Sequence, residues 1–135
     1  KISIADIFIS KGESEFRNIE LETLKAVICR CNADTIIATG GGTPCFNNAM
    51  PWMNKTGITV WLDAEIEDIF ANLMAETASR PLFNDTKRGE MKGKLREMYA
   101  IRVPFYSQSR AKVSVYRGLS PDLFTKRLHL STFAK

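Results

Sequence analysis

The sequence has one histidine, three cysteines and no long apolar run. His129 has no second histidine with which to build a metal site or a Ser-His or Cys-His couple, so those chemistries are excluded. Cys29, Cys31 and Cys45 are an odd number without a disulfide pattern, which points to a reducing compartment, the cytoplasm. Cys29 and Cys31 fall on a predicted helix, where residues two apart face different ways; core packing is expected of them and metal binding is not. No metal site is expected in the chain. The longest apolar stretches, Val27 to Cys29 and Val60 to Leu62 among them, fall far short of the about 20 residues of a membrane span. The chain opens Lys1-Ile2-Ser3-Ile4-Ala5-Asp6, without Met and with a charge too early for a secretory apolar region. That start reads as the interior of a longer protein.

What is present is the composition of a globular domain: 135 residues, 44% apolar and 25% charged. One domain, residues 1–135, is expected, large enough to remove roughly two-thirds of its unfolded surface from water. Lys and Arg number 19 against 15 Asp and Glu, a formal +4. The positive residues are scattered, and the one dense group, Lys87-Arg88 with Lys92 and Lys94, contains no aromatic residue. Such a pattern suits a small anionic ligand, with neither nucleic acid nor membrane as partner; a monomer is expected.

Ser3 can cap a short helix carrying Ile4, Ile7 and Phe8, which Gly12 ends. Phe16, Ile19, Leu24, Val27, Ile28 and Cys31 then recur at helical spacing, predicting a long helix over 14–31. Thr35 to Thr39 is a β-branched run stopped by Gly40-Gly41-Gly42, the pattern of a buried parallel strand that enters a loop. Ile58 to Leu62 and Lys112 to Tyr116 repeat that pattern. Asp63 is placed to cap a helix bearing Ile66, Ile69, Phe70, Leu73 and Met74, and Ser120-Pro121 to open another. Alternation of helix and strand predicts an α/β fold, a parallel sheet covered on both faces in three αβα layers. Between 77 and 92 the apolar pattern lapses into Arg80-Pro81-Leu82-Phe83-Asn84-Asp85-Thr86-Lys87-Arg88-Gly89, long enough for a lid.

Three successive glycines let a ligand approach the backbone and leave N–H groups free to donate. By themselves they are also compatible with a plain strand-to-helix turn. Arg17 and Glu20 could be an ordinary helix pair worth a few tenths of a kcal/mol. Arg80 in the lid segment, and Arg102 ahead of Pro104-Phe105-Tyr106, are individually compatible with surface arginines.

In combination and order, these elements make the chain resemble the shikimate kinases. The resemblance is carried by Gly12-Glu13-x-x-Phe16-Arg17-x-x-Glu20, Thr39-Gly40-Gly41-Gly42, Trp61-Leu62-Asp63, Arg80-Pro81-Leu82, and Arg102-x-Pro104-x-Tyr106 with Ala111. It implies a P-loop-kinase-like fold and transfer of the γ-phosphoryl of ATP, with Mg²⁺, to the 3-hydroxyl of shikimate. It implies that Arg17 and Arg102 hold the substrate carboxylate and that Glu20 orients them. Gly40, Gly41 and Gly42 would meet substrate hydroxyls through their N–H groups. Arg80 would act catalytically on the transferring phosphoryl, and Arg80 and Pro121 would lie on the nucleotide side. The alternatives are a non-catalytic shikimate-binding or regulatory module without a nucleotide half, and a sibling small-molecule kinase such as gluconate kinase.

The chain departs from that pattern in one region. It contains no Gly-x-x-x-x-Gly-Lys-[Ser/Thr] and no Asp-x-Asp, and Asn72-Leu73 stands where the family has an arginine against the adenine. The missing motifs belong to a βαβ unit of roughly forty residues that is expected upstream of Lys1. Its first strand would lie between those read at 35–39 and 58–62.

Overall fold

The structure, a computed structural model, describes residues 3–31, 35–75 and 88–133. Helix α1, Ile4–Arg30, begins as its sequence requires: the Ser3 hydroxyl accepts the Asp6 N–H and the Asp6 carboxylate accepts the Ser3 N–H, both at 3.1 Å. The two expected helices are arms of this one element. They meet at Gly12, whose φ of 77° and ψ of 172° break the helical path, a conformation for which glycine has no Cβ penalty. Cys29 is exposed, which corrects its assignment to the core: the second arm buries little beyond Leu24.

Residues 35–39 form no strand, contrary to the sequence reading, and Ile36 is 98% exposed. A strand is defined by its ladder. Among the described residues none lies alongside to complete one, so β-branched composition alone does not make a strand here. The glycine loop leads into a 3₁₀ turn, Thr43–Cys45, in which the Thr43 N–H donates to Gly40 O at 3.0 Å and the Cys45 N–H to Gly42 O at 2.9 Å. Helix α2, Ala49–Thr56, follows. It ends at Gly57 and buries Ala49 and Met50.

Strands β1, Val60–Ala64, and β2, Ala111–Val115, pair in parallel with Val60 opposite Ala111 and Ala64 opposite Val115. Both lie within two residues of the sequence reading, and the α/β class with a parallel sheet is as expected. Ala111 and Val113 are buried while Lys112 and Ser114 are exposed. Asp63 is not the cap of helix α3, Ile66–Ala75. It sits inside β1, where Lys112 Nζ lies 2.7 Å from Oδ2 and the Tyr99 hydroxyl donates to Oδ1 at 2.6 Å. Burial works against its charge, but the Lys112 ammonium and the two hydrogen bonds outweigh it and hold the carboxyl below its usual range.

Helix α4 runs Arg88–Tyr106 and packs on α3 through Leu73 and Met91, with Phe70, Met74 and Met98 around them. Helix α5, Pro121–Phe133, lies on β2; the Ser120 hydroxyl accepts the Leu123 N–H at 3.3 Å, the expected cap, and Arg127 donates to Ser114 O at 2.8 Å. Of the segment read as a lid, residues 88–92 belong to α4; residues 77–87, with Arg80, lie outside the described residues. Among the described residues no helix is long and apolar enough to cross a membrane.

Candidate functional site

The kink at Gly12 sets the direction of the second arm of α1, and Glu13, Arg17 and Glu20 share one face of it at helical spacing. Arg17 is held from two sides: Nη1 donates to Glu20 Oε2 at 2.9 Å and Nη2 to Glu13 Oε1 at 3.0 Å. Its guanidinium also lies over Phe46, 4.4 Å from the ring centroid, and near Phe16 at 5.1 Å. The side chain is only 11% exposed, whereas Glu13 is 55% exposed and Glu20 20%. Among the described residues the buried Nε–H of Arg17 has no acceptor. A buried donor left unmatched costs about 1–3 kcal/mol, so this nitrogen favours an acceptor brought by a ligand.

Glu20 reaches the loop as well. Its Oε1 accepts the hydroxyl of the buried Thr43 at 2.8 Å, which ties the helix to the residue that follows the glycines. From the other side come Arg102 and Tyr106, one turn apart at the end of α4. The Tyr106 hydroxyl donates to Gly41 O at 2.6 Å.

The glycines themselves are required by space. None of the three has positive φ, and Gly42 has φ −82°. A Cβ at Gly42 would lie 2.8 Å from Nη1 and Nη2 of Arg17. One at Gly41 would lie 3.0 Å from the Tyr106 hydroxyl and 3.2 Å from Arg102 Nη1, and one at Gly40 would lie 3.3 Å from Glu20 Oε1. Two guanidinium groups therefore rest against consecutive peptide units. Among the described residues the N–H groups of Gly40, Gly41 and Gly42 have no backbone acceptor.

Burial pushes the Cys45 thiol up against the pull of Arg102 and Arg17, so it stays neutral. Burial likewise raises Tyr106, with the Arg102 charge opposing, so its hydroxyl remains a donor at neutral pH.

Of the residues singled out in the sequence, Arg17, Glu20, Gly40, Gly41, Gly42 and Arg102 come together at this loop. Glu20 contacts Arg17; among the described residues it makes no hydrogen bond to Arg102. Pro121 stands exposed at the first turn of α5 and does not join the group. Two contributors were missed. Thr43 was hidden because a hydroxyl after a glycine turn is common. Tyr106 belongs to Arg102-x-Pro104-x-Tyr106 but was given no role, although its place one helical turn beyond Arg102 puts both on one face.

Paired guanidinium groups at a loop with unspent N–H donors are the equipment of an α/β protein that takes a small anionic ligand. The family model for shikimate kinase matches residues 1–130, and the chain belongs to the shikimate kinase family. It is 39% identical over 109 residues to a shikimate kinase of Azobacteroides pseudotrichonymphae genomovar. CFP2, covering 81% of this chain and 64% of that protein. With a shikimate kinase of Nostoc punctiforme it is 37% identical over 126 residues, covering 93% of this chain and 66% of the relative. The chain thus spans less than two-thirds of the length of either. A 1.7 Å crystal structure of shikimate kinase from Bacteroides thetaiotaomicron superposes with a TM-score of 0.82 at 27% identity, covering 94% of this chain and 71% of that one.

Proposed function

We propose that the protein phosphorylates the 3-hydroxyl of shikimate at the expense of ATP, giving shikimate 3-phosphate for aromatic amino-acid biosynthesis. The observation that carries this reading is the placing of Arg17 and Arg102 against Gly42 and Gly41, with the Arg17 Nε–H unmatched. A guanidinium fork takes a carboxylate in two parallel hydrogen bonds. Arg17 and Arg102 hold the substrate carboxylate, Glu20 keeps Arg17 in place, and the N–H groups of Gly40, Gly41 and Gly42 receive the ring hydroxyls. Holding both ends of a small rigid ligand fixes the reacting hydroxyl, and phosphoryl transfer depends chiefly on such positioning and on charge stabilisation. Arg80 acts on the transferring phosphoryl, and Pro121 lies on the nucleotide side. The protein works as a cytoplasmic monomer.

ATP supplies the phosphoryl group and Mg²⁺ neutralises its charge when bound. Residues 1–135 contain no Gly-x-x-x-x-Gly-Lys-[Ser/Thr], and among the described residues no group of three or more His, Cys, Asp or Glu could hold a metal ion. Neither a phosphate cradle nor a metal-ligand cluster is therefore supplied by the described residues. A coupled assay of the intact protein with shikimate, gluconate and nucleoside monophosphates tests the reading. Turnover with shikimate is expected. Preference for gluconate would assign a sibling kinase activity, and tight shikimate binding by calorimetry without turnover would assign a binding module.

A further inference from the structure

We propose that the Tyr106 hydroxyl is a latch that fixes the orientation of the Gly41–Gly42 peptide, making Tyr106 a positioning residue for the ligand-facing Gly42 N–H. A trans peptide holds the carbonyl of one residue and the N–H of the next on opposite sides of one plane. Tyr106 bonds Gly41 O at 2.6 Å, so it turns the Gly42 N–H away from itself. The anchor matters because of what flanks that plane. Flipping a peptide changes ψ of the residue before it and φ of the residue after, and both are glycines, which enter positive φ with no Cβ clash. Any side chain at 41 or 42 would resist the flip, but the space is taken by Arg102, Tyr106 and Arg17. The loop gives up side chains to bring the arginines close and has to recover its rigidity from outside.

The phenol is suited to that task. Its ring stands 6.0 Å from that of Trp61, at 45°, and Trp61 is in turn capped by Lys112 Nζ at 4.2 Å, which fixes the hydroxyl relative to the sheet. Burial keeps it protonated and donating. A second donor, Cys45 Sγ, reaches Gly41 O only at 3.7 Å, a weak bond that cannot replace the phenol.

The ligand side of this inference rests on the proposed function; the latch itself does not. Tyr106→Phe in the intact protein removes one oxygen, and Tyr99→Phe, which loses its bond to Asp63, serves as the control hydroxyl. In unliganded protein the Gly42 amide should change its chemical shift and exchange faster in Tyr106→Phe but not in Tyr99→Phe. Calorimetry should show shikimate bound about fivefold to tenfold more weakly by Tyr106→Phe, the range for one lost hydrogen bond, and within twofold of wild type by Tyr99→Phe. An unmoved Gly42 amide overturns the latch, and a moved amide with unchanged shikimate affinity overturns the positioning role of Tyr106 toward the ligand. Should the wild-type protein not bind shikimate, the reading of the ligand fails and the Gly42 amide alone decides the latch.

Discussion

Arg17 occupies the volume in which Gly42 would carry a side chain: a Cβ there would lie 2.8 Å from both terminal nitrogens of the guanidinium. The backbone at Gly42, with φ −82° and ψ −27°, is open to any residue. Gly42→Ala should therefore leave the fold intact while pushing Arg17 out of position. Shikimate affinity should fall at least about tenfold, or about 1.4 kcal/mol, with little change in the thermal midpoint. Gly12→Ala makes the contrast, since its φ of 77° is strained for any side chain in an otherwise open space. It should cost about 1 kcal/mol of stability. Equal affinity in Gly42→Ala and wild type, measured by calorimetry, would separate Gly42 from the ligand site.

Arg17→Lys keeps the charge but loses the fork that reaches Glu20 and Glu13 together. Shikimate binding should weaken at least about tenfold while nucleotide affinity stays nearly constant. A titration showing unchanged shikimate affinity would return Arg17 to the role of a helix-surface ion pair.

Arg80 lies outside the described residues, and its proposed role follows from the resemblance carried by Arg80-Pro81-Leu82. A group that acts mainly in the transition state affects turnover more than ground-state binding. Arg80→Ala should lower kcat by about a hundredfold or more, with a smaller change in KM for shikimate. Steady-state kinetics in which KM alone rises would make Arg80 a substrate clamp.

Asp63 links β1 to β2 through Lys112 and to α4 through Tyr99. Its carboxyl is held below the ordinary value, burial notwithstanding, by the Lys112 ammonium and the Tyr99 hydroxyl. A depressed folded pKa contributes stability that is present above the unfolded pKa, about 4, and lost as pH falls through the folded value. Urea midpoints should therefore drop below about pH 4, and Asp63→Asn should remove that part of the drop while costing about 1 kcal/mol at pH 7. The same carboxylate, with burial as the larger cause, pushes the Tyr99 phenol up to about 12. Identical acid profiles for Asp63→Asn and wild type would show that the bridge contributes nothing.

Local signals were read well where the cause is local. Ser3 with Asp6, Ser120 with Leu123 and the break at Gly12 depend on groups within three residues or on one residue's own backbone freedom. Arg17 and Glu20 were legible as a pair because helical spacing places them on one face. Residues 35–39 and Asp63 were misread because a strand needs a neighbour, and because Asp63 finds a distant cation on β2 rather than the start of a helix.

The sequence by itself determined the α/β class, the caps at Ser3 and Ser120 and the break at Gly12, since each follows from spacing or side-chain chemistry along the chain, while the candidate loop residues were singled out by resemblance to the shikimate kinases. Only the tertiary structure decided that Gly41 and Gly42 are glycines for want of room and that Thr43 is tied to Glu20 across 23 residues. It alone set Tyr106 on the carbonyl of Gly41, 65 residues away in the chain. Distances of that kind are fixed by how α1, the glycine loop and α4 pack against one another, and no periodicity along a chain encodes which side chain fills a given volume.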